Sequence, residues 1–271
     1  MIRKLTVNRA YKPHSDRTVY DYMWALKVPY LEKPVEFGEG LNIVFGPNGC
    51  GKSTLVGLCA FLTASEQGGV SKFTKKWMHS LFEHLGLVHG RPKADQLIGS
   101  LEFDGLPVYY HNPRETIGLY KGIEFDEDFF SEGLANLKAS NGSVGEVSKR
   151  KLSQFFSHLK SSELPDTIKG DDWMASHSTF KDDYEFSMSM LKGTIEISNR
   201  TFIMDEPEMG FSLLWQAEFW ETLVRYAKTY NRQLIVATHC PFALNIEGAH
   251  YIDMEPGYLE QCRDQFKKHF K

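Results

Sequence analysis

Long apolar runs are missing from this 271-residue sequence. No stretch approaches the roughly 18 uninterrupted apolar residues that a membrane-spanning helix needs. The opening Met1-Ile2-Arg3-Lys4-Leu5-Thr6 carries no apolar signal core behind its charges, so the expectation is a soluble, cytoplasmic chain without a membrane partner. Cysteine is scarce as well. Cys50, Cys59, Cys240 and Cys262 form no C-x-x-C pair, which argues against a disulfide framework or a zinc site. A formal net charge of −4 gives no overall attraction for nucleic acid. Two local stretches, Lys72 to Trp77 and Lys149-Arg150-Lys151, are basic, the first with interleaved aromatics; they read as solvated helix faces or as small nucleic-acid patches. There is no internal repeat and no heptad array long enough for a coiled coil. What remains, at 42% hydrophobic and 24% charged, is an ordinary globular composition.

Against these absences stands Gly46-Pro47-Asn48-Gly49-Cys50-Gly51-Lys52-Ser53-Thr54, entered through Leu41-Asn42-Ile43-Val44-Phe45 and continued by the helical pattern Leu55 to Leu62. It fits G-x-x-x-x-G-K-[ST] between a strand and a helix. Glycines there let backbone N–H groups face inward as an anion nest, and the helix directs its positive end at the same point. Asn48, Gly49, Cys50, Gly51, Lys52, Ser53 and Thr54 are therefore expected to cradle the phosphates of a nucleoside triphosphate. Lys52 would reach the β- and γ-phosphates and Ser53 would ligate Mg²⁺.

Along the rest of the chain, Ile2 to Arg9 reads as a strand and Val35 to Phe45 as a return strand broken at Gly38-Glu39-Gly40. Trp77 to Leu87 reads as helix, and Gln96 to Phe103 and Pro107 to His111 as strands joined by an Asp104-Gly105 turn. Asp126 to Lys138 and Glu146 to Leu159 carry amphipathic helical spacing, whereas Ser161 to Asp183 is polar, acidic and poor in apolar anchors, as in a surface insertion. Thr201 to Asp205 and Gln233 to Thr238 are apolar runs separated by a helical stretch, about Phe211 to Tyr230, which predicts parallel strands of a covered sheet.

The first of those runs ends in Asp205-Glu206-Pro207-Glu208. Ligands of an open α/β sheet sit beyond the carboxyl ends of its strands, so Asp205 is placed to meet the Mg²⁺ held by Ser53, and Glu206 to polarise an attacking water. Glu208 reads as the N-terminal charge of the following helix. The second run delivers His239, whose imidazole could donate to a γ-phosphate oxygen or orient the water.

In this order GPNGCGKST, IMDEPE and IVATHCP resemble the Walker A, Walker B and switch-histidine motifs of ABC-type ATPases, in the branch of the SMC and RecF proteins rather than the transporter branch. Size and layout are similar to the compact ATPases of bacterial defence and repair systems, including the ATPase part of the overcoming-lysogenization-defect proteins, without their Toprim nuclease. The similarity covers about residues 1–62 and 195–256. It implies one ABC-type ATPase domain over 1–271, a mixed sheet covered by helices, with residues 63–194 holding the helical signature subdomain and an insertion at 161–194. A signature motif touching the γ-phosphate of the opposite subunit's ATP is best matched by Ser143-Val144-Gly145-Glu146, with Ser143 and Gly145 as the contacts. Ser176-His177-Ser178 and a degenerate signature remain open. No glutamine is placed as the family's Q-loop residue; His111 or Asn112, at a strand end, fits better. Met209-Gly210-Phe211-Ser212 stands where the family has its D-loop. Arg9 and Tyr11 are read either as contacts to the base or phosphate or as a strand-end surface pair.

The resemblance implies a slow ATP phosphohydrolase that takes ATP and Mg²⁺, closes into a homodimer through its ATP sites, and controls a separate effector such as a nuclease, with DNA a possible sensed ligand. Two other readings stand beside it: an ATP-sensing scaffold with little hydrolysis, and a transporter nucleotide-binding subunit.

Overall fold

The computed structural model describes residues 1–11, 24–63, 69–70, 98–103, 108–113, 152–153, 155–157, 159–160 and 201–269. Two sheets carry the chain. Strands β1 (Ile2–Val7), β2 (Val35–Glu36) and β5 (Gly99–Phe103) form an antiparallel sheet in the order β2-β1-β5. The larger sheet runs β4 (Gly69–Val70), β6 (Val108–His111), β7 (Thr201–Asp205), β8 (Gln233–Thr238), β3 (Leu41–Phe45) and β9 (His250–Asp253). All its neighbours pair in parallel except β4 with β6.

Helix α1 (Lys52–Leu62) follows β3, α2 (Leu213–Tyr230) lies between β7 and β8, and α3 (Tyr258–His269) follows β9. Strands β3, β7 and β8 are buried along their whole length, the mark of a sheet covered on both faces. Their side chains nevertheless alternate. Val44, Ile203, Ile235 and Ala237 pack with Leu55, Val56 and Leu58 of α1. Ile43, Phe202, Met204, Leu234 and Val236 pack with Phe219, Trp220 and Leu223 of α2. The architecture is that of a P-loop NTPase: a mixed α/β fold with a largely parallel sheet.

Two buried amides fix this frame. Gln233 Oε1 accepts from the Ile2 N–H (2.8 Å) and the Thr201 hydroxyl (2.7 Å), while Nε2 donates to the carbonyls of Ile2 (2.6 Å) and Gly38 (2.9 Å). One side chain thus joins the small sheet to the large one. Asn42 accepts from Gly38 N and donates to the carbonyls of Gly38, Gly40 and Leu234, which closes the turn at Gly40, a residue at φ 72°.

Two strand expectations are corrected here. The stretch from Val35 to Phe45 is not one interrupted strand: β2 pairs with β1, and β3 enters the large sheet between β8 and β9. Nor do β5 and β6 form a hairpin, because β5 pairs with β1 and β6 with β7. The expected helix over Glu146 to Leu159 is represented by helical residues 152–153, 155–157 and 159–160, and Arg232 Nε donates to the Leu159 carbonyl at 3.2 Å. The expected helices over Trp77 to Leu87 and Asp126 to Lys138, the two basic stretches and the segment Ser161 to Asp183 lie outside the described residues.

Candidate functional site

The loop between β3 and α1 is shaped by its glycines. Gly49 and Gly51 sit at φ 81° and 100°, which side chains other than hydrogen rarely allow. At Gly51 a Cβ would also stand 2.7 Å from Val28 Cγ2, so the segment before β2 packs directly on the loop. Arg9 secures that segment by donating to the carbonyls of Leu26 and Val28, the latter at 3.0 Å. Arg9 thereby supports the phosphate loop through this segment. Tyr11 is buried against the same cluster, and burial raises its phenol above the ordinary value.

Lys52, the first residue of α1, is buried, and its ammonium donates to the carbonyls of Gly46 and Pro47 at 2.9 Å each. An ammonium has three donors. Two brace the loop from within, and the third is available in chemistry for an anion seated in it. Ser53 Oγ donates to Asp205 Oδ1 at 3.0 Å, joining the helix start to the end of β7. Asp205 is 2% exposed, and its second oxygen accepts from Asn112 Nδ2 at 3.4 Å. Asn112 also donates to the Tyr110 hydroxyl at 3.2 Å. Of the pair His111 or Asn112, then, Asn112 is the residue brought to the carboxylate. Ser53 and Asp205 offer the hard oxygen donors that Mg²⁺ prefers, so the residues fit that ion.

Beyond Asp205 the chain turns sharply. Glu206 adopts φ 45°, a left-handed conformation costing a residue with a side chain on the order of 1–3 kcal/mol. Its N–H continues the ladder to Ala237 O at 2.9 Å, and its carbonyl accepts from Met209 N at 3.0 Å. The side chain is thereby set against β8: His239 Nδ1 lies 3.1 Å from Glu206 Oε1. With Nδ1–H donating to the carboxylate, Nε2 is the acceptor of the neutral ring. The histidine side chain is 51% exposed, at the open side of the site.

Glu208 is not the N-terminal helix charge expected from the sequence. It is 5% exposed, α2 begins only at Leu213, and its Oε1 accepts from the Thr238 hydroxyl. Burial pushes its carboxyl up to about 7; the Thr238 bond opposes that shift, and the nearby Glu206 and Asp205 add to it. Cys240 rises to about 11, first from burial and then from Glu208. Cys50, inside the loop, is raised chiefly by burial. These thiols are neutral at physiological pH.

The structure therefore gathers Lys52, Ser53, Asp205, Glu206 and His239 at the carboxyl ends of adjacent parallel strands. Ser143, Gly145 and the alternative at Ser176 to Ser178 lie outside the described residues. Sequence reasoning missed Glu208 and left Asn112 open; its one usable signal for Asn112 was a position just past a strand end.

Fold and site together define a P-loop nucleotide-binding protein. Residues 28–96, spanning the phosphate loop and α1, match the AAA domain family. Among solved structures the chain is similar to an ABC transporter ATP-binding protein from Pyrococcus furiosus, at 13% identity over 93% of this chain and 97% of that one. The TM-score is 0.32. No curated protein matches the chain.

Proposed function

We propose that this protein binds ATP with Mg²⁺ in the loop Gly46–Thr54 and hydrolyses it slowly, as a switch rather than as a metabolic enzyme. The observation that carries the reading is the bond from Ser53 to Asp205 at 3.0 Å, which joins the phosphate loop to the acidic end of β7 beside the Glu206–His239 pair. Lys52 neutralises β- and γ-phosphate charge from inside the loop, while the first turn of α1 presents backbone N–H groups. Ser53 and Asp205 would hold Mg²⁺, with Asn112 orienting the Asp205 carboxylate. That ion supplies phosphate charge neutralisation when bound. Glu206 accepts the proton of the attacking water. His239 keeps the Glu206 carboxylate in place through Nδ1 and reaches the γ-phosphate or the water through Nε2.

The same reading takes the active form to be a homodimer closed around two nucleotides, with Ser143 and Gly145 completing each site in trans. Its support is a surface next to the site: Leu213 and Leu214, each 68% exposed, follow Ser212 at the start of α2. Adjacent exposed leucines supply apolar surface that closure of a dimer would bury. Each γ-phosphate then adds charge-assisted bonds across the interface and hydrolysis removes them, so ATP biases a two-state equilibrium. The output is control of a separate effector, such as a nuclease, in anti-phage defence or DNA repair in the cytoplasm, with DNA as a sensed ligand.

Light scattering on Glu206→Gln tests this reading. The molar mass should double with ATP and Mg²⁺, and Lys52→Ala in the same background should abolish the shift. Hydrolysis by Glu206→Gln at the wild-type rate would refute the assignment of the base. An unchanged mass would refute ATP-driven closure of this chain alone.

A further inference from the structure

Glu208 has no part in the mechanism above, yet it is a carboxyl buried between the two segments that carry Glu206 and His239. Its Oε1 accepts from Thr238 Oγ1, and among the described residues its Oε2 is buried with no hydrogen-bond partner. The same Thr238 hydroxyl oxygen accepts from the Cys240 N–H at 2.8 Å. Thr238 and Cys240 flank His239. A single carboxyl therefore fixes the hydroxyl that in turn fixes the backbone on both sides of the histidine, a local side-chain-to-backbone device of the kind that sets turns. The cluster extends one step further: Cys240 Sγ lies 3.4 Å from Gln216 Oε1, and Gln216 Nε2 donates to the Phe211 carbonyl at 3.1 Å. On the other side, the Glu208 carbonyl accepts from Phe211 N at 3.1 Å, closing the turn that leads from Glu206 into α2. Glu206 lies two residues before Glu208 and is held to β8 by its own N–H on Ala237 O.

A buried carboxyl in such a place is costly unless something is gained, because its charged form is poorly solvated and half of its hydrogen-bonding capacity is unused. We infer that Glu208 and Thr238 are positioning residues that hold the His239 imidazole on the Glu206 carboxylate, so that the acidic strand end and the histidine strand end move as one unit. The inference rests on the proposed hydrolysis for its effect on rate, and on geometry alone for its effect on His239. Outer-layer partners of this kind typically alter activity by ten- to a hundredfold where they have been removed from metal sites, and a similar scale is expected here.

Four variants in the full chain test it: Glu208→Ala, Glu208→Gln, Thr238→Val and Thr238→Ser. Thr238→Val is nearly isosteric and removes only the hydroxyl bonds, so it remains informative if Glu208→Ala fails to fold. Thr238→Val and Glu208→Ala should lose at least tenfold in kcat with KM for ATP changed less than about twofold. Thr238→Ser and Glu208→Gln, which keep a donor and an acceptor in place, should stay within about threefold of wild type. The His239 imidazole resonances, followed by NMR through a pH titration without nucleotide, should be displaced in Thr238→Val and restored in Thr238→Ser. Wild-type kcat and an unmoved His239 titration in Thr238→Val, even with a lowered melting temperature, would overturn the inference and leave Glu208 and Thr238 as packing residues. If the wild-type protein does not hydrolyse ATP, or if Glu206→Gln hydrolyses normally, it is the proposed function that fails, and the His239 titration still decides the inference.

Discussion

Replacing Glu208 by glutamine should shift the stability difference from wild type in the variant's favour as pH rises. The carboxyl moves from an ordinary 4.5 to about 7 on folding, chiefly because it is buried. The folded state then binds a proton more tightly than the unfolded chain. Stability contributed at this position is present at pH 5, falls as pH rises toward 7, and levels off above it. Each tenfold gain in proton affinity on folding corresponds to about 1.4 kcal/mol, so between pH 5 and pH 8 wild type should lose about 2–3 kcal/mol relative to a variant that cannot titrate there. Glutamine keeps an oxygen for Thr238 but adds an N–H₂ where Oε2 lacks a partner, a penalty of about 1–3 kcal/mol that does not vary with pH. Glu208→Gln should accordingly gain about 2–3 kcal/mol relative to wild type between pH 5 and pH 8. Urea unfolding at the two pH values, with the difference between the proteins compared, isolates this residue from all other titrations. A difference that is the same at pH 5 and pH 8 would refute a buried carboxyl with a raised pKa.

Lys52→Ala removes a charge-assisted contact and should weaken ATP binding ten- to a hundredfold, measured by equilibrium titration. Gly51→Ala places a Cβ 2.7 Å from Val28 Cγ2 at a positive φ, and should lower stability by about 2–4 kcal/mol by urea unfolding; in a Val28→Ala background, where the contact recedes to the Cβ at 3.3 Å, the steric part should shrink, so that equal costs in the two backgrounds would contradict the packing of this segment on the loop. Gln233→Leu strands the Ile2 N–H and carbonyl and the Thr201 hydroxyl, while the Gly38 carbonyl keeps its bond from Asn42, and should cost about 3 kcal/mol in the same assay.

The phosphate loop, the acidic strand and the histidine strand were legible because each is a local pattern: a glycine spacing, an apolar run, a charged residue at its end. What was not legible depends on pairings far apart in the chain. Gly38-Glu39-Gly40 looks like a break within one strand, and only the pairing of Val35 with Leu5 and of Leu41 with Leu234 reveals a passage between two sheets. Asp104-Gly105 is a hairpin signal by composition, yet β5 is drawn to β1 and β6 to β7. Glu208 read as the N-terminal charge of the following helix because Pro and Glu are both favoured at a helix start. It is instead buried, with its partner Thr238 supplied by the next strand.

Register explains why such distant pieces meet at one point. Asp205 stands opposite Ala237, and Phe45 opposite Thr238, so the three parallel strands β7, β8 and β3 end within one residue of each other. The residues that leave those ends, Glu206, His239 and Gly46, consequently emerge at the same level of the sheet. A slip of one residue in β8 would turn Thr238 and every other side chain of the strand to the opposite face, separating Thr238 from Glu208 and exchanging the α1 and α2 faces of the core. Gln233, at the other end of β8, opposes that slip by tying the strand to the backbone at Ile2 and Gly38 and to the Thr201 hydroxyl. The chemistry at one end of β8 is therefore held in register from the opposite end.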